Sequence, residues 1–137
     1  PRRRSTHTST PLRSLACRLA RSVLLLWCAS AAWASPSNKW RIEVSGGANS
    51  DGTITLAVAP IGQEVITVEI PLTDGKGENA VASAIRKVLK EKLGKGFKVE
   101  VDDGEDVLVK QRGSTPNFDL TLVESTVKGV RLRLQHE

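Results

Sequence analysis

The chain has 137 residues, a formal net charge of +5, 39% hydrophobic residues, two cysteines and two histidines. This length is that of one small domain. Six of its 20 basic residues precede Val23, with no acidic residue among them: Arg2, Arg3, Arg4, Arg13, Arg18 and Arg21. From Ser35 onward, the other 14 basic residues face all 15 acidic ones, a net charge of −1. The high isoelectric point is therefore a local feature, and it does not predict nucleic-acid binding.

The first predicted element is a cleavable secretory leader over residues 1–34. Its arginines precede a mostly apolar run from Val23 to Ala34, and Ala32-Trp33-Ala34 places small residues where signal peptidase reads the chain. As a helix this run would be about 18 Å long, short of the ~30 Å hydrocarbon core, so it is not predicted to span a membrane. We expect cleavage between Ala34 and Ser35 and a periplasmic or secreted product.

The domain that remains, residues 35–137, contains no cysteine and has His136 as its one histidine. Disulfides, thiolate metal sites and Cys–His pairs are therefore excluded, and a Ser–His pair would depend on His136 alone. Zinc hydrolysis needs His or Cys ligands that this composition does not supply. We expect no catalytic residues and no cofactor.

Seven segments with alternating apolar and polar residues predict seven strands. Their inward-facing residues are, in chain order, Trp40, Ile42 and Val44; Ile54, Leu56 and Val58; Ile66, Val68 and Ile70; Phe97, Val99 and Val101; Val107 and Val109; Phe118, Leu120 and Leu122; and Val130, Leu132 and Leu134. Asp103-Gly104 predicts a two-residue hairpin between the fourth and fifth strands. Tight turns of this kind favour antiparallel pairing.

Between the third and fourth strands the apolar period becomes that of a helix. One stripe of about four turns is formed by Val81, Ala84, Ile85, Val88, Leu89 and Leu93. The predicted fold is therefore α+β, in the order βββαββββ. It has a mostly antiparallel sheet of about seven strands, curled or split in two, with the amphipathic helix packed on one face.

The acidic hairpin Val101–Val107 is a candidate metal site. Its four carboxylates are those of Asp102, Asp103, Glu105 and Asp106. Carboxylate oxygens suit Ca²⁺, although the ligand order of an EF-hand loop is missing. The alternative is a solvated hairpin tip, which Asp-Gly favours by itself.

The glycine-rich loop Gly75–Ala80, which leads into the helix, is a second candidate, for an anion. Its alternative is a plain connection, because the phosphate-loop and dinucleotide motifs are absent. A small-molecule or Ca²⁺-binding periplasmic protein is therefore the alternative function.

Basic residues on two elements are candidate interaction residues. Arg86, Lys87 and Lys90 belong to a run of six cations on and after the helix, which could contact phosphates of lipopolysaccharide or anionic lipid head groups. The alternative is an ordinary solvated helix face.

Arg131 and Arg133 lie on the last strand, Val130–Gln135, which is predicted to be an edge strand because no later element covers it. Its free N–H and C=O groups would pair with a protein partner or a second copy, with the acidic segment Glu100–Asp106 as the complementary surface. The alternative is a monomer whose arginines protect the edge.

Three stretches resemble a strand–helix–hairpin module of bacteriophage tail proteins and bacterial surface appendage proteins. They are VITVEIPLTDGKGENAVASAIRKVLKEKL, FKVEVDDGEDVLVKQ and FDLTLVES, within Val65–Ser125. In those modules an extended strand, a Gly and an Ala-rich helix precede a β-hairpin. The resemblance implies a structural or assembly role and carries over no catalytic residue. We therefore expect an exported, non-enzymatic structural or interaction module of the bacterial envelope.

Overall fold

A computed structural model describes residues 35–137, and the predicted leader lies outside this part of the chain. The elements are β1 (Lys39–Ser45), β2 (Gly52–Pro60), β3 (Ile66–Leu72), α1 (Glu78–Leu93), a single 3₁₀ turn (Gly94–Gly96), β4 (Phe97–Asp102), β5 (Asp106–Gln111), β6 (Phe118–Ser125) and β7 (Arg131–His136). The predicted α+β class and the order βββαββββ are confirmed.

The strands form two antiparallel sheets. One has four strands in the order β4-β5-β1-β7, and the other has three strands in the order β3-β2-β6. Ile42 lies opposite Val107 on one side and Leu134 on the other, while Leu56 lies between Val68 and Leu122. Of the two arrangements that the sequence allows, the split sheet is the one observed.

The inner faces of the two sheets form the core. Strand alternation places Trp40, Ile42 and Val44 inside, as predicted, because successive side chains of a strand point to opposite faces. Phe97 and Phe118 meet edge to face, with ring centroids 5.0 Å apart. All three aromatic side chains of strands β1, β4 and β6 therefore pack in the core.

The helix packs differently from the prediction. Instead of covering one face of a single sheet, α1 contacts β3 and β4, which are edge strands of different sheets. Its buried residues are Val81, Ala82, Ile85, Leu89 and Leu93. Ala84 and Val88, which belong to the predicted stripe, are only half-buried, whereas Ala82 is buried. A helix that lies between two sheet edges buries one central row completely and leaves its flanks half open.

Strand β6 also departs from the prediction. Leu56 lies opposite Leu122, but Thr55 lies opposite Glu124, so that Val123 is the extra residue of a β-bulge. Leu122, predicted to be buried, is 39% exposed, and Val123 is 61% exposed. A bulge bends the strand and changes the direction of its side chains, which explains the exposure.

The predicted inward residues Leu132 and Leu134 of β7 are only half-buried. Strand β7 pairs with β1 alone, and in the described part of the chain no hydrogen-bonded ladder joins it to β6. Within residues 35–137, no helix has both the length and the hydropathy required to cross a bilayer.

Candidate interaction surfaces

The acidic hairpin forms between β4 and β5, as predicted, but its loop has three residues rather than two. Asp102 pairs with Asp106, which leaves Asp103, Gly104 and Glu105 in the turn. Asp103 and Gly104 both have positive φ, at 51° and 84°. Asp and Gly tolerate this left-handed region better than other residues, so the turn sequence matches the turn geometry.

Arg41 binds both carboxylates at the base of this hairpin. Its Nη1 lies 2.8 Å from Asp106 Oδ2, and its Nη2 lies 3.3 Å from Asp102 Oδ2. A third carboxylate, that of Glu137, accepts a 2.7 Å hydrogen bond from Arg41 Nε and also pairs with Lys39. Hydrogen bonds from Lys39 and Arg41 lower the pKa of Glu137, and the carboxylates around Arg41 raise the pKa of its guanidinium.

The structure divides the four candidate Ca²⁺ ligands. Asp102 and Asp106 face the Arg41 guanidinium, whereas Asp103 and Glu105 are exposed at the tip. Within residues 35–137, no three or more His, Cys, Asp or Glu side chains converge into a group that could hold a metal ion. A cation at this hairpin would have to compete with Arg41 for two of its ligands.

The glycine-rich loop Gly75–Ala80 is held by its own backbone. Gly75 N–H donates to the Ala48 carbonyl at 2.8 Å, and Ala48 N–H donates to the Lys76 carbonyl at 2.7 Å. A Cβ at Gly47 would lie 2.8 Å from the Lys76 carbonyl oxygen, so only glycine fits this approach without a shift. These contacts fix the loop against the turn between β1 and β2.

The helix cations lie on two different flanks of α1. Arg86 and Lys90 line a groove of about 490 Å³ at the β4 side of the helix, together with Lys95, Lys98 and Arg112. Lys87 lies on the other flank, in a shallow hollow with Pro71, Lys76 and Glu91. The three helix cations that the sequence grouped together therefore do not form one surface.

Strand β7 is an edge strand, as predicted. Arg131 is exposed, and Arg133 makes one loose contact, 3.9 Å from its Nη1 to Glu43 Oε2. The acidic segment proposed as its complement is largely occupied within the same molecule. Glu100 binds Lys98 at 2.6 Å and Lys110 at 3.3 Å, and these two lysines lower the pKa of its carboxyl group.

The edge of β6 has two features that the sequence did not reveal. Ser37 already forms one antiparallel bridge with Phe118, through two main-chain hydrogen bonds of 3.0 Å. Beyond that bridge, Leu122 and Val123 are exposed at the bulge. The alternating pattern of β6 gave no sign of either feature, because both depend on the register of a distant strand.

Arg112 is a groove residue whose position beside the helix could not be predicted from the sequence. Its N–H donates to the Gly96 carbonyl at 2.8 Å, which extends the β4–β5 ladder by one pair and brings Arg112 to the end of α1. Lys95 and Lys98 were part of the cation run, whereas Arg112 lies 14 positions after Lys98.

No protein-family model and no curated protein matches this chain.

Proposed function

We propose that this protein is an exported, non-enzymatic interaction module of the bacterial envelope, and that it binds its partner by strand addition at the β6 edge. The observation that carries the proposal is the Ser37–Phe118 bridge, in which the edge already accepts one antiparallel rung. A partner strand would continue this ladder along β6. Main-chain hydrogen bonds supply affinity in this mode, and side-chain pockets supply specificity.

The side chains beside this edge support a partner with apolar residues. Leu122 and Val123 are exposed in a chain whose other core-facing strand residues are mostly buried. A strand laid along β6 would cover both, and burial of apolar surface favours association. Arg131 and Arg133 are exposed on β7, the edge strand of the other sheet, where long cations discourage indiscriminate pairing at that edge. The resemblance to appendage and tail modules points to the same class of role.

Self-association is the first form of this idea to test. Sedimentation of the processed protein over a range of concentrations and salt should reveal a dimer or a chain. An assembly that used the β7 edge instead of β6, held through Arg131 and Arg133, should dissociate as salt screens their charge. A protein that stays monomeric in all conditions leaves a different protein as the partner.

A matched pair of substitutions tests the edge itself. Val123→Lys places a charge on the exposed bulge of β6. Val65→Lys places one at the β2–β3 turn, and the two valines are similarly exposed, at 61% and 58%. Self-association, or retention of a protein from envelope extract, should be lost with Val123→Lys and kept with Val65→Lys. Equal binding by the two variants, or no binding by the wild type in either assay, would contradict the proposal.

Export is tested separately, by the mass of the N-terminus. If the leader is cleaved where Ala32-Trp33-Ala34 predicts, the product outside the cytoplasm should begin at Ser35. Ala34→Arg, which places a large cation at the last position before the cut, should block or shift cleavage. A full-length product retained in the cytoplasm would contradict export without bearing on the β6 edge.

A further inference from the structure

The groove between α1 and β4 concentrates positive charge. Its lining contains five cations and one carboxylate: Arg86, Lys90, Lys95, Lys98 and Arg112, with Glu100. Four of these cations form no ion pair with any carboxylate in the described part of the chain, and Lys98 is the exception. Glu100 is itself engaged by Lys98 and Lys110, so it adds little negative charge to the groove.

The cations on the outer face of the four-stranded sheet, unlike most of those in the groove, form ion pairs. There Lys39, Arg41, Lys98, Lys110 and Arg133 all have a carboxylate within 4.0 Å. The domain as a whole has a net charge near zero, so carboxylates are available elsewhere on its surface. Unpaired cations also occur singly elsewhere in residues 35–137, as at Lys76 and Lys128, but in the groove four of them line one concave surface.

A second hollow continues from the groove and adds other donors. It shares Lys95 and Arg112 with the groove and is also lined by Ser114 and Thr115. The hydroxyls of Ser and Thr can each donate a hydrogen bond to an anionic oxygen. The two hollows together form one continuous surface of guanidinium, ammonium and hydroxyl groups.

We propose that this continuous surface binds a ligand that carries two or more phosphoryl groups. Arg86 and Arg112 supply planar guanidinium forks, which match the oxygens of a phosphate in a bidentate manner, while the lysines add point charges. A single carboxylate would neutralise only a fraction of the five cations. The C-terminal end of α1 opposes an anion, but its partial charge of about half an electron is small beside the charges of the four unpaired cations.

The geometry disfavours an acidic peptide in extended form. Phe97 and Val99, on the part of β4 that lines the groove, are buried. The helix packs against this strand, and Arg86 and Lys90 of α1 line the groove opposite it. A compact polyanion needs side-chain donors alone, and these are what the groove offers.

Calorimetry with tripolyphosphate as the probe tests this site. Arg86→Gln and Arg112→Gln should each weaken binding about tenfold or more, because each removes a charge-assisted fork. Lys87→Gln is the matched control, since it removes one charge from the same helix on the other flank, and it should change affinity less than about twofold. All three side chains are exposed, so the unfolding midpoint should not change.

Two further arms identify the source of the phosphate. Phosphatidylcholine vesicles with and without cardiolipin, whose head group carries two phosphates, show whether a membrane surface presents it, and a short polyglutamate shows whether any anion suffices. Binding to tripolyphosphate or to the anionic vesicles that depends on Arg86 and Arg112 supports the proposal. Absence of binding to both, equal losses in the Lys87→Gln control, or polyglutamate binding as tight as tripolyphosphate binding would overturn it.

Discussion

The Trp40 indole N–H donates to the main-chain carbonyl of Phe118 at 2.8 Å, and this bond joins the two sheets. Trp40 lies on β1 of the four-stranded sheet, and Phe118 lies on β6 of the three-stranded sheet. The same carbonyl accepts the N–H of Ser37 at 3.0 Å. Polar contact between the sheets is thus concentrated at the start of β6, next to the edge proposed to bind a partner.

Trp40→Phe should lower the free energy of unfolding by about 1–3 kcal/mol, because it removes a buried hydrogen bond and part of a well-packed ring. Urea denaturation measures this loss. Ser37→Ala is the matched control: it keeps the main-chain bridge to Phe118 and should cost less than about 0.5 kcal/mol. A Trp40→Phe variant as stable as the control would show that the bond between the sheets contributes little.

Leu89→Ala should cost about 2–5 kcal/mol, since Leu89 is fully buried in the central row of α1. Lys92→Ala, on the exposed side of the same helix, should cost less than about 0.5 kcal/mol. Chemical denaturation of the two variants compares them directly. A similar small loss in both would mean that α1 does not pack as the structure shows.

Stability should fall in acid partly through Glu100 and Glu137. Neighbouring cations hold the pKa of both carboxyl groups below the ordinary value of about 4.3. Their stabilising effect is therefore present above that pH and is lost as the pH falls through the lower folded-state pKa. The side chains of Glu100 and Glu137 are 38% and 32% exposed, so salt should weaken the effect.

Unfolding measured between neutral pH and about pH 2 tests this, because the pKa values in question lie below the ordinary 4.3. The double variant Glu100→Gln and Glu137→Gln should lose less stability on acidification than the wild type does. Glu105→Gln removes a carboxyl group that pairs with no cation in the described residues, and it should leave the pH profile unchanged. Identical profiles for all three proteins would contradict the assignment.

Ca²⁺ at about 5 mM, above the ~1 mM dissociation constants of weak extracellular sites, should not raise the unfolding temperature. The reason is that Arg41 already occupies Asp102 and Asp106. Mg²⁺ at the same concentration is the control for ionic strength. A rise specific to Ca²⁺, lost in Asp102→Asn, would instead favour the alternative function of an ion-binding protein.

The sequence alone was sufficient to predict the strands and the helix that bury one face and expose the other. The period of two located β1, β2 and β4, and the buried aromatics Trp40, Phe97 and Phe118 all lie on faces that alternation predicted. The period of the helix located α1 and the burial of Leu89 in the same way. These signals are local, because each depends on neighbours along the chain rather than on distant partners.

Features that depend on pairing between distant strands could not be predicted from the sequence. The bulge at Val123 arises from the register of β6 on β2, and the place of Arg112 arises from the β4–β5 ladder. The contacts of Arg41 join residues 61, 65 and 96 positions apart, so the acidic hairpin looked free in the sequence and is partly neutralised in the fold.

The place of β1 in its sheet has a consequence for when the protein can fold. β1 lies between β5 and β7, strands that are synthesised long after it, and Arg41 meets Glu137 across 96 positions. Pairings between such distant segments form slowly, since the entropy of closing the loop is lost before the contacts compensate for it. A nascent chain of this topology remains without its central strand pairings while it emerges from the ribosome. Under the export proposed above, that delay would keep the chain in the unfolded form that a secretory channel accepts.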